Sequence, residues 1–320
     1  MKNVLVVGGA GYIGSHTIQL LKKSDCNVFV VDDLSTGHVS AVQGISAFYE
    51  LNILDSEKLK MVFSKHQFDV VFHFAAKLSV PESVDKPYDY FKNNVVGTAN
   101  LLQMCMDFGV NKFIFSSSSA VYGESTKELV SETDELSPIN PYGLTKKMSE
   151  DLIRQHALLR PEFKYKILRY FNVSGAAPDK SNGPRNLMTG QLILNLCRSA
   201  LGDKKVKVFG NEFATPDGTC IRDYIHVCDL AAAHLCAYGN MAQSSIWNCG
   251  YGHGFSVLQV IKSFEAANGL KFKIEFVSKR KGDPGRLISN NQLILQNSKW
   301  KPAYDNLEEI CRSTYNWVSQ

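Results

Sequence analysis

Six short apolar runs punctuate the first half of the chain, near residues 3–7, 27–31, 46–50, 69–74, 112–117 and 165–171. Between most of them, near 12–23, 56–66, 87–108 and 143–158, apolar residues recur every three or four positions. Apolar runs without polar alternation read as strands buried on both faces, and the periodic stretches as the helices that cover them. This order predicts an α/β fold with a doubly wound, parallel sheet of the Rossmann type over residues 1–174. Past about residue 175 the pattern changes. A loop at 177–184 precedes shorter mixed elements, with helices predicted at 188–200, 228–240, 256–267 and 306–318. Residues 175–320 therefore read as a smaller α/β domain capping the sheet edge, with 220–248 returning to the first domain. In the 87–108 helix, Phe91, Val95, Thr98, Leu102 and Cys105 keep one face, and Tyr88, Val96, Ala99, Leu101 and Met106 widen it. Such a helix is either buried on a second side or, with the helix near 143–158, faces a second copy in a homodimer.

Open parallel sheets bind ligands beyond the carboxyl ends of their strands. The first run leads straight into Gly8-Gly-Ala-Gly11-Tyr12-Ile13-Gly14 and then a helical pattern. Strand, glycine turn and helix together form a cradle for a pyrophosphate, because glycines admit the backbone and the helix start presents free amides. The second run ends at Asp32, 18 residues after Gly14, where a carboxylate takes the ribose hydroxyls of a dinucleotide. Asp33 adds negative charge, and no Arg or Lys follows before residue 58, so NAD is favoured over NADP.

A second chemical signal lies in Pro141-Tyr142-Gly-Leu-Thr-Lys146, downstream of the run Ser116 to Ser119. On a helix, positions four apart share a face, which sets the ammonium beside the phenol. Lowering a phenol from about 10 to about 7 needs roughly 4 kcal/mol, and one cation about 6 Å away supplies roughly 3 kcal/mol at an effective dielectric near 20. The expectation is a Tyr142 base made acidic by Lys146 and by the positive ring of an oxidised nicotinamide.

Composition narrows the picture. Hydrophobic residues at 44% and charged residues at 21% are those of an ordinary globular protein. A net charge of +4 without basic blocks gives no nucleic-acid partner, and no apolar stretch approaches the 18 residues of a membrane span. The short run Lys279-Arg280-Lys281 reads as a solvated turn or a local anion site. The N-terminus enters the first strand directly, so the chain is read as cytoplasmic. The eight cysteines form no C-x-x-C and are expected as buried free thiols, and the eight histidines show no metal spacing. His73 is expected as a satisfied histidine at a strand end.

The chain resembles the extended short-chain dehydrogenase/reductase family, and within it the nucleotide-sugar epimerases, nearly end to end. The resemblance rests on Gly8 to His16, His73-Phe-Ala-Ala76, Asn93-Asn-Val95, Ser116 to Gly123 and Tyr142 to Lys146. It continues through Leu168-Arg-Tyr-Phe-Asn-Val173, Asn186-Leu-Met188, Arg222-Asp-Tyr-Ile-His-Val227 and Gly282-Asp283. It implies inversion of C4 of a UDP-hexose through a transient 4-keto sugar, with NAD kept bound between turnovers. By the same resemblance Tyr142 is the catalytic base, Lys146 its partner and a ligand of the nicotinamide ribose, and Ser118 the hydrogen-bond partner of the sugar O4. Asp32 and Ile53 flank the adenosine, and Phe74, Ala75, Asn94 and Tyr170 line the rest of the groove. Asn52 replaces a common Asp and still addresses adenine. Asn172, Asn186, Leu187, Phe209, Arg222, Arg280 and Asp283 hold the UDP. Leu287, intermediate in size, stands where family members vary near the sugar, so hexoses, N-acetylhexosamines and pentoses all stay open as substrates.

Other readings are also open at this point. A 4,6-dehydratase needs a carboxylate pair in the serine region, where this chain has Ser118-Ser119-Ala120. A decarboxylase, a reductase with exchangeable cofactor and a non-catalytic NAD-binding protein complete the set. Arg222 with Asp223 also reads as an interdomain salt bridge.

Overall fold

The computed structural model describes residues 1–280 and 282–320. Seven parallel strands form the central sheet: β1 (Lys2–Val7), β2 (Cys26–Asp32), β3 (Ala47–Glu50), β4 (Val70–His73), β5 (Lys112–Ser118), β6 (Lys164–Tyr170) and β7 (Ser245–Cys249). Their order is β7-β6-β5-β4-β1-β2-β3. The order reverses between β1 and β4, which opens a crevice at the carboxyl ends of those two strands. The helices that cover the sheet or build the second half are α1 (Tyr12–Leu21), α2 (Ser56–Lys65), α3 (Gly97–Asp107), α4 (Pro141–Leu159), α5 (Leu192–Leu201), α6 (Val227–Gly239), α7 (Val257–Asn268) and α8 (Leu307–Val318).

The apolar runs are continuous because both faces of the sheet are covered. Val4 and Val6 pack with Ile18, Leu21, Leu230, Ala233 and Ala237 from α1 and α6. Their neighbours Leu5 and Val7 pack on the other side with Leu59, Val62, Phe63, Leu101, Leu102 and Ile153 from α2, α3 and α4. The first of these cores runs without interruption into the second half of the chain, taking in Ile193, Leu196, Val260, Phe264 and Ile310 of α5, α7 and α8. The sequence pattern stopped at six strands. The seventh, Ser245–Cys249, comes from the second half and pairs with β6.

Among the described residues, three small sheets complete the fold. Asn172–Ser174 pairs with Tyr224–His226. Ile221–Arg222 lies between Phe255–Ser256 and Arg286–Leu287. Lys205–Phe209 pairs with Lys273–Val277.

The predicted 87–108 helix is interrupted. A π-helical stretch, Phe91–Val96, joins Pro87–Tyr90 to α3. A π turn shifts the phase of the faces. Thr98, Leu102 and Cys105 are therefore buried while Phe91 and Val95 are only half-buried, and the single continuous face expected from a 3.6 period does not form. None of the described helices is long and apolar enough to cross a membrane.

Candidate active site

The glycine turn begins with Gly8, at φ 80°, in the left-handed region that disfavours side chains. A Cβ there would lie 2.4 Å from the Ala75 backbone nitrogen, and one on Gly14 would lie 2.5 Å from the Gly8 carbonyl oxygen. The turn is thus closed by contact of backbone on backbone. Gly11 precedes α1 without a side-chain cap, so the first amides of the helix face the crevice. Ile13 packs on the core under the turn, and the Tyr12 hydroxyl donates to the Gly175 carbonyl, which ties α1 to the second half. Asp32 is buried and accepts the amides of Ala10 (2.9 Å) and Leu34 (2.9 Å). Burial pushes its carboxyl above the ordinary range, and those two amides work the other way. Cradle, free amides and a carboxylate at the end of β2 fit a dinucleotide.

Several groove residues are committed to protein partners. Asn52 donates to Asp33 (2.7 Å) and accepts from the Leu54 amide (2.9 Å), so both ends of its side-chain amide are engaged in fixing the loop after β3. The Ile53 side chain is buried and packs against Gly97 at the start of α3. Phe74 packs on Phe72 and His234, and the amides of Phe74 and Ala75 both reach the Val7 carbonyl. Asn94 sits within the π turn. Its amide oxygen accepts from the Lys77 amide (2.8 Å), and its amide nitrogen donates to the Lys77 carbonyl (3.0 Å) and the Thr145 hydroxyl (3.0 Å). It shapes the groove by holding the segment after β4 against α4. His73 is only half satisfied: Nε2 meets Thr98 (3.0 Å), while Nδ1 has no partner among the described residues.

The second cluster forms where α4 meets the end of β5. Asn140 caps α4 by accepting from the Gly143 amide (2.9 Å), and Pro141 fixes its first turn. A Cβ on Gly143 would lie 2.4 Å from the Ala120 carbonyl, so the helix start presses directly on the turn after Ser118. The serine run then divides its work. The Ser116 carbonyl accepts from Lys146 Nζ (2.7 Å), and its hydroxyl meets the Tyr170 hydroxyl. Ser117 donates to Glu150 (2.5 Å). The Ser118 hydroxyl accepts the Ala120 amide (3.2 Å) and lies close enough to the Tyr142 phenol to favour its charged form.

The electrostatics correct the reading from spacing alone. Burial pushes the Tyr142 phenol above 10, with only the Ser118 hydroxyl pulling it down. Burial also pushes Lys146 down to about 7, against the carboxylate of Glu150. Desolvation opposes the charged form of both groups and outweighs the attraction inferred from the i,i+4 geometry. Glu150 forms a buried ion pair with Arg169 (2.6 Å). Arg169 lay within the Leu168 to Val173 motif but drew no role from the sequence, and Glu150 was not singled out. Glu150 lies one turn beyond Lys146 on the same helix face, which was its legible signal.

In the second half, the Arg280 guanidinium lies 3.7 Å above the Phe209 ring. The Cys220 thiol feels Arg222, Asp283 and Arg280, so all three charges lie within electrostatic reach of that side chain. Lys281, in the same basic run, lies outside the described residues. Asn172 heads its short strand with its amide on the Asp223 carbonyl (2.9 Å). Asn186 and Leu187 stand on the loop before α5, where Asn186 accepts the Met188 amide (3.0 Å). Among the described residues no hydrogen bond or ion pair links them to the arginine cluster. The alternative Arg222–Asp223 salt bridge does not form. Arg222 donates to the Ile221 carbonyl (2.9 Å), and buried Asp223 accepts the amides of Tyr251, Gly252 and Ser289. Leu287 is buried with Val121, Tyr122, Val130 and Phe171 directly after the serine run. All eight cysteines are free, four of them buried.

Known proteins place this geometry. A model of the NAD dependent epimerase/dehydratase family matches residues 4–250. A UDP-glucose 4-epimerase of Azospirillum brasilense is 40% identical over 98% of this chain and 91% of its own. Among solved structures, a UDP-glucose-4-epimerase from Stenotrophomonas maltophila with bound NAD and formylated UDP-arabinopyranose superposes with a TM-score of 0.95 at 36% identity, covering 100% of this chain and 98% of that one. A UDP-Glc/GlcNAc 4-epimerase from Campylobacter jejuni gives 0.86 at 43% identity, covering 100% and 99%. The chain belongs to the NAD dependent epimerase/dehydratase family.

Proposed function

We propose that this protein interconverts UDP-glucose and UDP-galactose by inverting C4 of the sugar through a bound 4-keto intermediate. The observation that carries this reading is the meeting of Ser118, Tyr142 and Lys146 at the carboxyl end of β5, beside a dinucleotide cradle. Gly8, Gly11, Gly14 and Asp32 would hold NAD, with Phe74, Ala75, Tyr170 and Lys146 along the rest of its groove. Held there, NAD would supply a reversible hydride acceptor for C4.

Tyr142 takes the C4 hydroxyl proton and later returns it. Ser118 orients that oxygen, and Lys146 offsets the charge on the phenolate. Because burial raises the free phenol, the catalytic form depends on Lys146 staying protonated and on positive charge arriving with the cofactor. Arg222 and Arg280 suit the diphosphate, with Phe209, Asp283, Asn172, Asn186 and Leu187 around the nucleotide. Residues 1–174 would hold the cofactor and 175–320 the UDP-sugar, with 220–248 serving both. Tight hold on UDP and loose hold on the hexose let the ring turn over between the two half-reactions.

A homodimer through the helices near 87–108 and 143–158 is supported by Tyr88, Val96, Leu144 and Met148, which these segments leave exposed. A cytoplasmic place is supported by eight unpaired thiols. The test of function is incubation with UDP-galactose and with UDP-N-acetylgalactosamine, without added NAD, and with products resolved by NMR. UDP-glucose should form. No conversion of either sugar would overturn the reading, and conversion of the N-acetyl sugar would widen it.

A further inference from the structure

We infer that Glu150, held by Arg169 and Ser117, is a positioning residue that keeps Lys146 cationic one helical turn from Tyr142; the inference deepens, and rests on, the function proposed above.

Lys146 and Glu150 are one turn apart on α4, and both are buried. Lys146 grips the Ser116 carbonyl, and Glu150 accepts the hydroxyl of Ser117, the next residue of β5. Successive helix turns thus hold successive strand residues, and Ser118 follows directly. On its other side the Glu150 carboxylate accepts Nε (3.0 Å) and Nη2 (2.6 Å) of Arg169. Arg169 is fixed in turn by the Tyr122 hydroxyl (3.0 Å) and the Glu132 carbonyl (3.2 Å), and Tyr122 by Asn248 (2.7 Å). A buried ion pair is weak evidence for stability, because apolar residues of the same volume often serve as well or better. A role beside a buried lysine accounts for its charge.

The charged and titratable neighbours come from every packed element. His73 on β4 faces Lys146 and is held neutral, pushed down to about 3. Tyr142 shares the helix. From β6 come Arg169, Tyr165, which feels Glu150, and Tyr170, which meets Ser116. Tyr122 and Glu132 stand behind Arg169. Among the described residues, Glu150 is the group that works against burial at Lys146. Neutralising it leaves burial unopposed. The lysine then loses its proton at lower pH, and the phenolate loses its cation.

The test uses the cofactor-loaded protein. Glu150→Gln keeps the shape and removes the charge, and Glu150→Gln with Arg169→Met removes both charges should the single variant fail to fold. Two readouts are taken. One is the alkaline limb of kcat against pH. The other is the titration of Lys146 followed by NMR of 13Cε-labelled lysine, assigned with Lys146→Arg. Both midpoints should fall by about one pH unit or more, since a carboxylate one helical turn away contributes that much at an effective dielectric near 20. Ser117→Ala removes a hydrogen bond but no charge, so it should leave the lysine midpoint in place. An unmoved lysine midpoint in a folded Glu150 variant overturns the inference, even if turnover is lost. If the parent converts no UDP-sugar, the proposed function fails, while the NMR titration still decides the role of Glu150.

Discussion

Replacing Gly14 by alanine adds one methyl group where the cofactor cradle closes on its own backbone. The new Cβ would lie 2.5 Å from the Gly8 carbonyl oxygen and 2.9 Å from the Gly9 Cα. Both neighbours are backbone atoms of the same turn, so no side chain can swing aside and the turn itself must open. Overpacking of this kind costs about 1–3 kcal/mol. If that cost falls wholly on the turn that receives the pyrophosphate, NAD binds about 5- to 150-fold more weakly, at about 1.4 kcal/mol per factor of ten. Gly239 is the control. It ends α6, is exposed and would place a Cβ with nothing within 4 Å, so Gly239→Ala should be neutral or stabilising by up to about 1 kcal/mol. Titration calorimetry of NAD into stripped protein, with thermal melts of each variant, separates the two. Parental NAD affinity and Tm in Gly14→Ala would refute the close-packed turn.

Three further outcomes are expected. Tyr142→Phe removes the hydroxyl that faces Ser118 and should lower turnover of UDP-galactose by about 10²- to 10⁴-fold while NAD stays bound; undiminished turnover removes the phenol from the chemistry. Burial pushes His16 and His234 down to about 4 and His73 and His226 to about 3. Their folded values lie below the unfolded 6.5, so the unfolded chain takes up protons first. Stability is then full above about pH 6.5 and is lost toward pH 4, with a slope approaching about 5 kcal/mol per pH unit for four groups. Urea unfolding that gives a flat curve between pH 7 and 5 would contradict this. Tyr88→Asp, at a side chain 84% exposed, should halve the mass seen by light scattering if the outer faces of these helices join two copies. An unchanged mass would place the contact elsewhere or leave none.

The sheet was legible because burial on both faces writes itself as unbroken apolar runs, and β1, β2, β4, β5 and β6 all lie near their predicted bounds. The seventh strand was not, since Ser245-Ile-Trp-Asn-Cys249 carries polar residues that only the fold explains. Asn248 donates to the Val130 carbonyl and accepts from Tyr122, so its polarity is satisfied inside the protein. Asp223 misled for the same reason: a charge beside an arginine in sequence turned inward to collect three amides.

Tyr142 and Lys146 show where such reading stops. Spacing of four on a helix reports that two groups are neighbours. It does not report how deep they lie, and depth sets the sign of the shift. On an exposed helix the lysine would keep its charge and draw the phenol down. Here both are buried, and each is pushed toward its neutral form. The ion that the chemistry needs must then be maintained by something else inside the same low-dielectric volume. Glu150, with its charge held by Arg169, meets that requirement, and one turn of helix was the trace it left in the sequence.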